Sequence, residues 1–303
     1  MKVAVFGGTG FLGRRIVGRL LDKGFEVLAV SRRARRAAVG SEAKAPDQVK
    51  ADILDRSSIG PAIAGSNAVV NAVSLYVEHG GLTFERMHVT AAADLASAAR
   101  QAGVERLVHI SGIGADPRSA SRYIKARGRG EGAVRNSFPD TIVLRSAVMI
   151  GPDDAFLTTL VRLVRLLPVY PLFGQGATRL QPVYVGDVAE AVSRLLADPI
   201  HDVSTFEVGG PRILRYRELV REIARTFGVH PILVPMPFAA WSTLALAAEF
   251  LPTPPFTRNQ IDLMRQDNVT TGGMPGLPEL GIEPLDIEQV IPMIEGSGIK
   301  TRT

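Results

Sequence analysis

The chain has 303 residues, with Lys+Arg 35 against Asp+Glu 30, a net charge of +5 and no cysteine. A chain of this length buries enough apolar surface to fold without staples, as one large domain or two closely joined ones. The missing cysteines exclude disulfides, thiolate metal sites and cysteine nucleophiles, and they fit a reducing compartment such as the cytoplasm.

The first apolar run, "KVAVFG" (Lys2 to Gly7), reads as a buried strand and breaks into glycine too early for a secretion signal. "GRRIVGRLLDKG" follows with Ile16, Val17, Leu20 and Leu21 at helical spacing, and Gly24 stops it. "FEVLAVSR" is a second strand. "QVKADI" (strand) precedes "SSIGPAIAG" (helix), and "NAVVNAVS" (strand) precedes "TFERMHVTAAADLASAARQAG", read as one long helix. "RLVHISG" (strand) leads into a helix on "RYIKARGRGEG", and "TIVLRSAVMIG" closes the set as a strand. Continuous apolar strands alternating with helices predict a parallel sheet covered on both faces, in a doubly wound, Rossmann-like α/β fold.

Beyond Gly151 the texture changes. A helix on "FLTTLVRLVRLL" ends at Pro168, a helix after "QPVYVG" is capped by Asp187, "STFEVGG" is a strand, and "RYRELVREIARTFG" is an amphipathic helix. From Pro231 onward prolines and glycines interrupt the chain. The expected organisation is a nucleotide-binding core over residues 1–150, rejoined by 178–210, with 151–177 and 211–303 as a smaller portion covering the site. The longest apolar stretch, Phe238 to Leu251 around Trp241, carries a glutamate and falls short of the roughly 18 residues of a spanning helix. It reads either as an internal helix or as a membrane-edge or partner surface.

"GGTGFLG" carries the strongest chemical signal. Gly7, Gly10 and Gly13 stand between a strand and a helix, where they permit a tight turn, close approach to a pyrophosphate and close helix packing. The helix amino end adds free N–H groups, making Gly7, Thr9, Gly10, Phe11, Leu12 and Gly13 cofactor-binding candidates. The second strand ends without a carboxylate, on Ser31, Arg32 and Arg33 within the four-arginine stretch Ser31 to Arg36. A hydroxyl and planar cations suit a ribose 2′-phosphate, so NADP(H) is expected over NAD(H); the alternative is a solvated basic loop. A basic excess this local points to one anion and not to a nucleic-acid surface. Asp52 with Ile53 either meets an adenine or caps a helix. Ala72, Val73 and Ser74 pass under a ribose–phosphate or belong to the core. The five histidines lack metal-ligand spacing, and no metal is expected. Asp153 and Asp154 read as a turn.

Gly7-Gly8-Thr9-Gly10-Phe11-Leu12-Gly13, Asp52, Ser111, Tyr123 and "PVYVGDVAEAV" together resemble the short-chain dehydrogenase/reductase superfamily, in its extended or atypical branch. The resemblance implies that Ser111 and Tyr123 bind the reacting oxygen and that Tyr123 moves the proton. A finer resemblance, on "SRYIKARGRGEGAVRNSFPDTIVLRSAVMIGPDDAFL" and "LFGQGATRLQPVYVGDVAEAV", is to the Rossmann-fold accessory subunit of respiratory complex I and its stand-alone bacterial relatives. It implies tightly held NADPH and peripheral association with a membrane complex, at the cytoplasmic side of an inner membrane.

The superfamily's tyrosine is followed four residues later by lysine; here that position is Arg127. Four residues apart on a helix, Tyr123 and Arg127 share a face, and a neighbouring cation should pull the phenol below its ordinary value near 10. Arg127 cannot release a proton. Lys125 points elsewhere. Three readings stand: a reductase or epimerase centre of Ser111, Tyr123 and Arg127 acting on a small molecule, a cofactor clamp with weak or no turnover, or a basic helix face. Gly128, Gly130 and Gly132 weaken the helix, for close packing or for flexibility.

Overall fold

Strands without polar alternation are stable only when both faces are covered, and the first half of the chain is built that way. A computed structural model describes residues 1–33, 45–198, 203–248 and 258–296; Arg35 and Arg36 of the basic stretch lie outside the described residues. The chain divides into two compact units: residues 1–146, 185–208 and 271–283 in the first, and 147–184, 209–270 and 284–303 in the second.

The first unit is built on a seven-stranded sheet. Its strands are β1 (Lys2–Phe6), β2 (Glu26–Ser31), β3 (Asp47–Lys50), β4 (Ala68–Asn71), β5 (Arg106–Gly112), β6 (Ile142–Ser146) and a seventh, Thr205–Val208. They lie in the order β3-β2-β1-β4-β5-β6-seventh, and every neighbouring pair is parallel. Chain order reverses at β1, so the crevice at the carboxyl ends of β1 and β4 is the topological switch point where such sheets take ligands.

Helices cover both faces. Ala4, Phe6, Leu28 and Val30 join Ile59 and Ile63 of α2 (Arg56–Ile63), Leu95 of α3 (Ala91–Gln101) and Val134 of α4 (Arg122–Ser137) in one core. By strand alternation Val3 and Val5 face the other way, the side of α1 (Phe11–Asp22) and helix Val185–Ala197. Glu190 ties those two helices together through Arg19 at 3.0 Å and Lys23 at 2.8 Å. Gly24, at φ +82°, ends α1 with its N–H on Leu21 O while Phe25 N–H reaches Leu20 O, the paired bonds of a left-handed helix stop.

Three local expectations need correction. The long helix of residues 83–103 opens with a π turn, Glu85–Thr90, before α3 begins; the buried positions Phe84, Met87, His88, Ala91, Ala92 and Leu95 still recur every three or four residues, so the pattern carries no mark of it. The strand "TIVLRSAVMIG" is two pieces: β6 stops at Ser146, and Met149–Ile150 pairs with Val183–Tyr184 in the second unit. Asp187 is not a helix cap. Its helix starts at Val185, anchored by the burial of that side chain, and Asp187 lies in the first turn, where the helix dipole still favours its charge.

In the second unit, helices Ala155–Leu166, Tyr216–Thr226 and Ile287–Gly296 share a core of Leu157, Val161, Leu219, Ile223, Val290 and Ile291. The reading of Asp153 and Asp154 holds: Asp153 adopts φ +70° in the turn, and Asp154 caps the first of these helices by accepting Leu157 N–H at 2.6 Å. A parallel ribbon pairs Val169–Phe173 with Ile232–Met236. Trp241, on helix Phe238–Ala248, is buried, with Nε1–H donating to Leu172 O at 3.0 Å. Leu244 and Leu246 of the same helix are exposed. No helix among the described residues is long and apolar enough to cross a membrane.

Candidate functional site

The glycine loop is shaped by its own backbone. Gly7 takes φ +79°, and a Cβ there would lie 3.1 Å from Ala72 O. A Cβ at Gly13 would fall 2.0 Å from Gly7 O, so only glycine lets α1 sit this close to the end of β1. No side chain caps the amino end of α1, which leaves its first-turn N–H groups available to an anion. Gly7 N–H and Gly8 N–H both reach Val30 O, and Ala72 N–H reaches Phe6 O. Ala51 N–H bonds Ser31 O, one residue before Asp52. The ends of β1 to β4, and with them Gly7, Ser31, Asp52, Ala72 and Val73, therefore form one edge.

At that edge Ser31 Oγ donates to Arg33 O at 2.7 Å, and Arg32 and Arg33 are exposed. Asp52 Oδ1 accepts Leu54 N–H at 3.0 Å, and Ile53 is buried. Capping of α2 falls instead to Asp55, which accepts Ser57 N–H at 3.1 Å.

Ser111, 1% exposed, is the last residue but one of β5. Arg127, on α4, reaches across to it: Nη1 donates to Ile110 O at 3.3 Å, and a Cβ at Gly112 would stand 3.5 Å from Nε. Its guanidinium lies 5.4 Å from the centroid of the Tyr123 ring, so α4 sets the tyrosine and the cation on one face as their spacing predicts, while Lys125 is exposed. Arg127 is only 5% exposed, yet Nε has no hydrogen-bond partner, and Ser74 lies against the Tyr123 phenol. A buried donor without a partner is rare and calls for one, from a water, an ion or a ligand. This donor set, hydroxyls and a guanidinium beside a glycine turn, fits the ribose and phosphates of a dinucleotide.

The phenol departs from expectation. Tyr123 is 8% exposed, stacked against Tyr76 at 5.9 Å and enclosed edge-on by Phe84 at 5.4 Å and His88 at 5.6 Å. Burial is the largest influence and raises its pKa to about 12, outweighing the downward pull of Arg127. Arg127 acts in the foreseen direction but loses to desolvation. His88 and His109 are pushed down to about 3, first by burial and then by Arg127. His109 Nδ1 lies 3.3 Å from Asn71 Nδ2, and His88 Nε2 lies 3.0 Å from Leu75 O. Both imidazoles stay neutral in the folded chain, whereas an unfolded histidine gains its proton near 6.5. Stability is therefore unaffected above about 6.5 and declines as pH falls toward about 3. Histidine ring NMR signals should show His88 and His109 untitrated at pH 5; a midpoint near 6.5 for either refutes this placement.

Several residues at the site were missed in the sequence. Glu131, two turns past Tyr123 on α4, accepts the Ser111 hydroxyl at 2.6 Å and pairs with Arg145. The signal was available: Arg145 and Glu207 are charges inside otherwise apolar strands. Tyr76, Phe84 and His88 carried no comparable mark. Nor did Lys50, which stands in register with Ser31.

A family model described as NAD(P)H-binding matches residues 7–199. The chain belongs to the NAD(P)H-binding family. This NAD(P)H-binding chain is 31% identical over 295 residues to the mitochondrial NADH dehydrogenase [ubiquinone] 1 alpha subcomplex subunit 9 of Arabidopsis thaliana, covering 92% of this chain and 73% of that protein. It is 27% identical over 237 residues to a ceramide reductase of Caulobacter vibrioides, covering 78% and 73%. Its fold is that of the Thermus thermophilus UDP-glucose 4-epimerase solved with NAD, at a TM-score of 0.71, 23% identity and 98% coverage of both chains. Mitochondrial NADH dehydrogenase subunits are thus among the relatives of this NAD(P)H-binding chain.

Proposed function

We propose that this chain binds NADP(H) and works as a reductase on the carbonyl of a small molecule, using the same centre for the reverse oxidation or for epimerisation. The observation that carries the proposal is the Tyr123 ring 5.4 Å from the Arg127 guanidinium, on the helix whose Glu131 accepts the Ser111 hydroxyl. The nicotinamide, when bound, supplies or accepts hydride. Tyr123 gives its proton to the substrate oxygen; burial keeps the phenol protonated at neutral pH, and a developing alkoxide is basic enough to take that proton even from a phenol raised to about 12. Arg127 holds ribose hydroxyls and stays charged throughout. Arg32 and Arg33 support NADP(H) over NAD(H), since two exposed cations and no carboxylate end β2.

The test is a nucleotide-loaded preparation offered a panel of carbonyl compounds. Multiple turnover is expected, and Tyr123→Phe should lower it at least about 100-fold, the usual share of a general acid. A Tyr123→Phe protein that turns over normally refutes the assignment. Arg32→Ala with Arg33→Ala should erase the NADP(H) preference; an unchanged preference refutes the cofactor choice.

A second reading is a non-catalytic NADPH-holding part of a membrane-associated assembly, peripheral to an inner membrane on its cytoplasmic side. The observation favouring it is an exposed apolar ribbon in the second unit, where Ile232 faces Val169 across the pair and Val234 follows. Relatives named as complex I subunits agree with it. Nucleotide that survives purification and is never oxidised by the carbonyl panel would select this reading.

A further inference from the structure

The proposed function has Tyr123 addressing the oxygen of the bound molecule, the superfamily resemblance adds Ser111 to the same oxygen, and the present inference rests on that reading. Ser111 has a single proton, and in the structure Glu131 takes it: Oγ donates to Oε1 at 2.6 Å, the length of a charge-assisted bond. Glu131 is not free to turn away. Arg145 grips both its oxygens, Nε to Oε1 at 3.0 Å and Nη2 to Oε2 at 2.8 Å, while Nη1 reaches Glu207 at 3.3 Å. Glu207 in turn accepts Thr271 N–H at 2.8 Å and its hydroxyl at 2.9 Å. Register sets Ser111, Arg145 and Glu207 side by side on three adjacent strands.

We propose that Glu131 is a positioning residue that makes Ser111 a hydrogen-bond acceptor, so that the folded site is complementary to a hydroxyl, which accepts from Tyr123 and donates to Ser111. A carbonyl oxygen becoming an oxyanion wants two donors, and here it meets one. The site therefore holds the alcohol member of a carbonyl/alcohol pair in preference to the carbonyl, and it reduces carbonyls more slowly than it would with the Ser111 proton turned to the ligand. In Glu131→Gln the amide oxygen keeps the bond from Arg145 Nη2, the bond from Nε to the other position is lost, and the amide N–H2 there turns to Ser111, whose proton is released toward the ligand.

The test uses the full chain loaded with NADPH, with nucleotide fluorescence followed during titration by cyclohexanol and by cyclohexanone. The wild type should favour the alcohol. Glu131→Gln should shift the alcohol-to-ketone affinity ratio about tenfold toward the ketone, the worth of one hydrogen bond, and raise turnover on the carbonyl panel. Because Glu131→Gln removes a charge from a buried network, Ser111→Ala is the second variant; it should bring the ratio near one with the network charges intact. Neutron diffraction from perdeuterated, ligand-free wild type should place the deuteron between Oγ and Oε1. A deuteron pointing elsewhere overturns the proposal, as does a wild type that takes the ketone equally well or registers neither probe. Failure to bind nucleotide would defeat the NADP(H) reading, and the neutron measurement would still decide the direction of the hydroxyl.

Discussion

Arg145→Met is expected to destabilise the chain by about 3–5 kcal/mol, the usual consequence of removing one partner from a buried ion pair. The side chains of Glu131 and Glu207 are 4% and 1% exposed, and Arg145 is the cation that meets both. Methionine fills most of the same volume and neutralises neither carboxylate. One or both must then take up protons or admit water, and each route costs more than the packing it preserves. Arg145→Lys keeps the charge but loses the two-pronged grip, so it should recover only part of the loss. Urea denaturation at unchanged m-value reads the difference. A loss below about 1 kcal/mol would mean that solvent reaches these carboxylates, and the bond between Ser111 and Glu131 would lose its rigid backing.

Gly130→Ala and Gly132→Ala should act in opposite directions although they stand two residues apart on one helix. A Cβ at Gly130 would lie 2.1 Å from the carbonyl oxygen of His88, in the π turn. Backbone meets backbone there, and no side chain can swing aside. Helix α4 has to back away, at a cost of about 1–3 kcal/mol for overpacking. It carries Tyr123, Arg127 and Glu131 with it, so nucleotide affinity should fall together with stability. A Cβ at Gly132 meets nothing within 4 Å, and alanine there should gain up to about 1 kcal/mol of helix propensity. Thermal unfolding of the two variants, with NADPH titration, checks the pair; stabilisation by Gly130→Ala would contradict the packing of α4 on the π turn. Gly128 belongs with Gly130, because its Cβ would fall 2.4 Å from Pro117 N.

The parts legible in the sequence rest on local rules. Strand order and the glycine turn follow from apolar runs and from the missing Cβ at Gly7 and Gly13, and the shared face of Tyr123 and Arg127 follows from helical pitch. The sign of the Tyr123 shift does not follow. It depends on rings brought from elsewhere in the chain: Tyr76 and Phe84 dry the phenol, and desolvation then outweighs a cation that spacing alone makes look decisive. Glu131 was hidden for a similar reason. On α4 it looks like any solvated carboxylate until β6 and the seventh strand supply Arg145 and Glu207. The π turn was invisible because the register of backbone bonds changed while the apolar spacing did not.

The first unit is written in three pieces of chain, with residues 147–184 and 209–270 of the second unit intervening. During synthesis, β6 leaves the ribosome with an open edge, and its neighbour Thr205–Val208 comes only after about 60 further residues. Thr271, which completes the coordination of Glu207, emerges later still. The nucleotide-binding unit therefore cannot finish folding before most of the chain has been made. A nascent or truncated chain ending near residue 200 should hold a sheet with an exposed, pairing-competent edge. It should depend on chaperones, or on prompt completion of translation, in a way the full-length chain does not.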